Sequence, residues 1–183
     1  MALAAQATEG ELYRAVLGSN PVHPNGWPVR LIVSSQTEAR HNRAHWAPTH
    51  LVSIRAPATR LLSMIDLPPE RHLELYFGDA TDPDAPDAAP PEAVESTFAF
   101  IDGLPKDAQL LIHCLRGIGR STALTLGILA RYMEPEKAAA ALHALRPEAK
   151  PNRHVLGLCD ATLGLKGKLA KQALRFPTKV WKG

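Results

Sequence analysis

Residues 112–122 read I-H-C-L-R-G-I-G-R-S-T, and an apolar run precedes and follows them: Q-L-L at 109–111 and A-L-T-L-G-I-L at 123–129. The first run is short and ends abruptly, as a buried strand does. The second continues to Met133 and has the length of a buried helix. The stretch between, Leu115 to Arg120, therefore turns from the carboxyl end of a strand into the amino end of a helix. Outward from this turn, further strands are predicted at Val29–Ser35, His50–Ile54, Arg60–Ile65 and His72–Phe77. Helical patterns lie at Thr37–Trp46, at Pro91–Gly103 with Val94, Phe98 and Ile101 on one face, at Pro135–Leu145, and after Asn152, a suitable cap. Such alternation predicts an α/β fold, a central and mostly parallel sheet with helices on both faces. In that arrangement the turn after Cys114 sits on the edge where such sheets bind ligands.

The chain has 183 residues, 45% of them hydrophobic, enough for a single domain with a substantial core. Its opening has no basic leader and no long apolar region, so neither export nor a membrane span is expected, and the expected location is the cytoplasm. Two cysteines make no disulfide framework, so a cysteine that matters does so through reactivity. The net charge of +3 hides a segregation of signs. Asp79, Asp82, Asp84, Asp87, Glu92 and Glu95 form a run without a base, and the chain beyond Asp160 carries bases without an acid. That basic tail lacks interleaved aromatics and reads as a solvated helix face, not a nucleic-acid site. The prolines of A-T-D-P-D-A-P-D-A-A-P-P-E, 80–92, predict a surface loop.

A strand-to-helix turn with Gly117 and Gly119 can curl its N–H groups inward and, with the positive end of the helix dipole, hold a tetrahedral anion. The same field favours the thiolate of Cys114 on the pocket floor; cysteines at helix amino ends have pKa values of roughly 3.5 to 7.5. Leu115, Arg116, Gly117, Ile118, Gly119 and Arg120 would line the pocket, with the guanidinium fork of Arg120 holding two phosphoryl oxygens. Ser121 can offer its hydroxyl to the Cys114 sulfur, with Thr122 as a second donor. His113 comes too early to face the substrate and is expected to brace the loop backbone by hydrogen bonds, influencing Cys114 from outside the pocket.

The spacing H-C, five residues, R-S/T resembles the phosphate-binding loop of the cysteine-based protein tyrosine phosphatases, the dual-specificity branch in particular. The resemblance extends from Val29 onward, through the strand-then-aspartate L-Y-F-G-D and the segment R-P-E-A-K-P-N, 146–152. It implies a catalytic domain over 29–183, with 1–28 an amino-terminal segment of separate role. It also implies that Cys114 attacks phosphorus and that an aspartate on a mobile loop protonates the leaving oxygen. Asp79 matches that pattern; Asp82 and Asp84 stand as alternatives. Arg116 departs from the small or acidic residue many relatives carry there. No metal or other cofactor is implied, and no nucleic-acid or membrane partner. The expected substrate is a phosphorylated protein, at tyrosine and also at serine or threonine; the alternatives are a phosphoinositide or nucleotide ester, or an adaptor that binds without turnover.

Two other features read as structural. Cys159 lies on a helical stripe with Val155, Leu156 and Leu163 and is assigned to the core. His41, His45 and His50 have Arg40 and Arg43 beside them and no carboxylate to complete a metal site, and are read as surface histidines.

Overall fold

The computed structural model describes residues 14–15, 29–57 and 67–176. The strand expected at 60–65 and nearly all of the segment 1–28 lie outside the described residues. Among the described residues five strands form one sheet: β1 (Arg14–Ala15), β2 (Val29–Ser35), β3 (His50–Arg55), β4 (His72–Tyr76) and β5 (Leu110–Cys114), in the order β1-β2-β5-β3-β4. β1 runs antiparallel to β2 at the edge, and the other pairings are all parallel. The expectation of a mostly parallel sheet is met. Because β4 and β5 run the same way, Phe77–Asp79 and the loop after Cys114 leave the sheet from one edge.

The helices are α1 (Gln36–Trp46), α2 (Pro91–Asp102), α3 (Arg120–Leu129), α4 (Pro135–Leu145), α5 (Arg153–Thr162) and the short α6 (Lys168–Gln172). Proline occupies the first position of α2 and α4, where its missing N–H costs nothing. Asn152 caps α5, its Oδ1 accepting from the Val155 N–H at 3.1 Å. α1 starts one residue ahead of the expected Thr37, because Ser35 and Glu38 form a reciprocal capping box.

Strand alternation sorts the core onto two faces. Leu31, Val33, Val52, Ile54, Leu75, Leu110 and Ile112 pack with α2, α3 and α5, and Ile32, Leu51 and Leu111 pack with Ala39 of α1 and with Trp46. Every residue of α3 is buried. A helix buried on all sides lies in the centre of the molecule, and this one begins at Arg120, directly after the loop. Cys159 is wholly buried against Gly127 of α3, where burial pushes its thiol up to about 12; it is a core residue.

Candidate active site

The loop 115–119 is shaped by what its carbonyl oxygens touch. Leu115 O accepts from the Gln36 N–H, Gly117 O from Arg146 Nε, Ile118 O from the Lys150 N–H, and Gly119 O from the Asn152 N–H. Thr122 Oγ1 reaches the carbonyls of Ile118 and Gly119 as well. No peptide bond is cis among the described residues, so each N–H points opposite to the carbonyl of its own peptide unit. With the carbonyls anchored outward, the N–H groups of Arg116, Ile118, Gly119 and Arg120 turn toward the loop's centre. Gly117 has φ +68°, and a Cβ there would lie 2.4 Å from the Ser35 nitrogen, so the loop packs on the end of β2 only as glycine.

Cys114 ends β5 and is nearly fully buried. Its Sγ lies 3.2 Å from the Gly117 nitrogen, which donates to it, and 3.2 Å from Ser121 Oγ. The sulfur thus sits under the loop, with the Gly117 N–H on it, near the amino end of α3. Arg120 is buried, with Nη1 donating to the Phe77 carbonyl at 2.9 Å and Nε buried without a partner. Leu115 and Arg116 are exposed at the rim, Leu115 being one of few large apolar residues exposed among the described residues.

Asp79 lies where β4 hands the chain to the proline-rich loop. Asn152 Nδ2 donates to its Oδ1 at 2.9 Å and to its backbone carbonyl at 3.1 Å. Both carboxylate oxygens stand over Gly119, so close that a Cβ at Gly119 would lie 2.7 Å from each. Asp79 is nonetheless exposed. Asp82 accepts from the Asp84 N–H in a local turn, and both are exposed. Of the three aspartates, Asp79 has its carboxylate against the loop.

Two expectations need correction, those for Thr122 and His50, and one gains a partner, that for His113. Thr122 is no second donor to sulfur, because its hydroxyl faces the carbonyls of the turn before it. His113 has a further partner that its motif does not show: alternation along β5 turns its ring to the α1 face, where Nε2 meets Ser53 Oγ at 2.8 Å while the ring also faces the Cys114 backbone. Burial pushes its pKa down to about 4, against a smaller opposing pull from the Cys114 backbone. His50 is not a surface residue; it is buried at the start of β3, with Nδ1 2.8 Å from Thr49 Oγ1 and its ring edge-on to Phe100. His41 is exposed, and the side chain of His45 lies outside the described residues. Among the described residues no group of three or more His, Cys, Asp or Glu is placed to hold a metal ion.

No protein-family model matches this chain, and no curated protein sequence does. Solved structures do match it. The Cydia pomonella PTP-2 phosphatase superposes with a TM-score of 0.58 at 20% identity, over 72% of this chain and 84% of that one. Human DUSP28 superposes with a TM-score of 0.56 at 20% identity, over 79% and 93%. PTPMT1 in complex with PI(5)P superposes with a TM-score of 0.52 at 14% identity, over 79% and 92%. This is the fold of the dual-specificity protein tyrosine phosphatases.

Residues that the sequence pattern left without a role hold the loop in this phosphatase fold. Arg146 is buried, and besides its bond to Gly117 O its two Nη atoms grip both carboxylate oxygens of Glu38, at 3.0 and 2.8 Å. Burial alone would raise the Glu38 pKa, but the hydrogen bonds from Arg146 and Ser35 bring it below its ordinary 4.5. The S-Q-T-E spacing at 35–38 is the signal that marks Glu38 as a capping residue; nothing local links it to Arg146. Asn152 shows the same economy, capping α5 with one end of its amide and holding Asp79 with the other.

Proposed function

We propose that the protein is a phosphoric monoester hydrolase that acts on phosphotyrosine, and also on phosphoserine and phosphothreonine, in proteins through a phosphocysteine at Cys114. One observation carries this reading: a buried cysteine sulfur accepting from a backbone N–H of the glycine loop, with a buried arginine and an aspartate carboxylate both set against that loop at the end of β4. The N–H groups and the Arg120 fork bind the phosphoryl oxygens and stabilise their charge as the bonds to phosphorus change. Cys114 Sγ attacks phosphorus; the ester oxygen departs with the proton of Asp79. Water then displaces the cysteine, with Asp79 taking its proton and Ser121 stabilising the released thiolate. None of these steps uses a metal. The domain that performs them is taken to be 29–183, working in the cytoplasm. No helix among the described residues is long and apolar enough to cross a membrane.

The deciding experiment is phosphate release from an aryl phosphate, followed by a screen of phosphopeptides, phosphoinositides and nucleotides. Turnover that disappears in Cys114→Ser, with a phosphoenzyme trapped on Cys114 in the wild type, supports the proposal. Phosphate binding without release makes the protein an adaptor, and release confined to phosphoinositides moves the substrate from protein to lipid headgroup. Turnover stopped by a chelator and restored by a divalent metal would overturn the metal-free route.

A further inference from the structure

Beneath the loop, on the α1 face of the sheet, one serine joins two imidazoles. Ser53 Oγ lies 2.8 Å from His113 Nε2 and 2.9 Å from His72 Nε2. Ser53 is buried at the middle of β3, in register with His113 of β5, while His72 opens β4 on the other side. On its far side, His72 Nδ1 faces Glu74 Oε1 at 3.7 Å, and Glu74 is held by Arg55 and by the Tyr76 hydroxyl.

A serine has one proton to give. If Ser53 donates to one imidazole, the other must donate to Ser53. While His72 is neutral, the carboxylate of Glu74 draws the His72 proton to Nδ1, which leaves Nε2 bare. Ser53 then donates to His72, and His113 donates to Ser53 from Nε2, so that His113 Nδ1 carries no hydrogen. When His72 takes a second proton, its Nε2–H donates to Ser53, the Ser53 hydroxyl turns to His113, and the His113 proton moves to Nδ1. The three groups share three protons before and four after, the extra one coming from solvent. His113 stays neutral throughout.

We propose that His72 and Ser53 are positioning residues that set which nitrogen of His113 carries the proton, and so tune the nucleophilicity of Cys114, its neighbour in the chain, from two strands away. The inference rests on the reading of Cys114 as nucleophile. A proton on His113 Nδ1 sets a positive edge toward the Cys114 backbone and favours the thiolate; a bare nitrogen opposes it. The groups facing this relay are Glu74 and Arg55 at His72, and His72 and Arg55 at His113. Burial first, then Arg55, hold His72 below its ordinary 6.5 despite Glu74, and burial pushes His113 down to about 4, so that above about 4 His113 is uncharged.

The test is a pH titration of the wild-type protein by nitrogen NMR of the imidazoles, with Cys114 alkylation by iodoacetamide measured in parallel. The His113 Nδ1 and Nε2 shifts should exchange character at the pH where His72 titrates. Below that pH, Cys114 should alkylate about threefold faster than in His72→Gln, which keeps a polar group but cannot titrate. In His72→Gln and in Ser53→Ala the exchange at His113 should vanish. One tautomer of His113 across the whole His72 titration, or a Cys114 alkylation profile in His72→Gln that superimposes on wild type, would overturn the proposal. The wild-type titration decides the matter even if Ser53→Ala fails to fold. Neither readout requires turnover, so a protein that shows the relay but releases no phosphate contradicts the proposed function and leaves the relay standing.

Discussion

At the scale of single residues, the chemistry divides between groups that react and groups that hold them. Cys114→Ser keeps the shape of the pocket and loses the readily formed anion, so turnover should fall by about 10³-fold or more while phosphate still binds. Steady-state rates beside phosphate competition measure both. Arg120→Lys keeps the charge but not the fork, and the proposed mechanism expects a severe loss there also. Asp79→Asn should slow alkyl and phenyl phosphates by about 10²-fold or more and esters of acidic phenols much less, because the proton matters most to a poor leaving group. It should also abolish the alkaline fall in rate. Asp82→Asn and Asp84→Asn, which change the same acidic run away from the loop, should behave as wild type; either of them reproducing the leaving-group signature would move the acid into the loop.

At the scale of elements, the loop is a joint between β5 and α3 closed from outside by α1, Arg146 and Asn152. Arg146→Lys retains a cation but loses the simultaneous grip on Gly117 O and Glu38. Phosphate affinity should fall about tenfold with the fold intact, a loss visible as weaker phosphate competition against alkylation of Cys114. Gly119→Ala offers a sharper test of Asp79, since the added methyl displaces the carboxylate without removing it. That variant should reproduce the leaving-group dependence of Asp79→Asn. The same contrast explains what was legible in the sequence. The turn itself was legible, because strand, glycines, arginine and helix are neighbours in the chain and their periodicities change at one point. Thr122 was placed on the correct element but given a wrong partner, and the Ser53 partner of His113 was missed, since partner choice depends on which way each side chain points from a strand or turn. The bond from Arg146 to Glu38 was not legible, for it joins residues 108 apart in the chain with no local pattern in common.

At the scale of the whole molecule, the buried histidines make stability depend on pH. His113 is depressed to about 4 in the folded state against 6.5 when exposed, so between those values the unfolded chain binds the proton and the folded one does not. Its contribution is fully present above about 6.5 and is lost progressively as the pH falls toward 4, a total of ~3 kcal/mol. For a chain of this size that corresponds to a Tm lowered by roughly 6–12 °C, with His50 and His72 adding in the same direction. Thermal melts at pH 7, 6, 5 and 4 check the slope, and His113→Asn should flatten it. A different consequence follows from the way the loop is closed. The groups that turn its carbonyls outward come from both sides of it in the chain: Gln36 and Glu38 ahead of it, Arg146, Lys150 and Asn152 after it. A polypeptide emerging from the ribosome therefore exposes Cys114 before the groups that complete its surroundings have been made. The cradle is complete only once Lys150 and Asn152 have been made, and until then the nascent chain carries Cys114 without it.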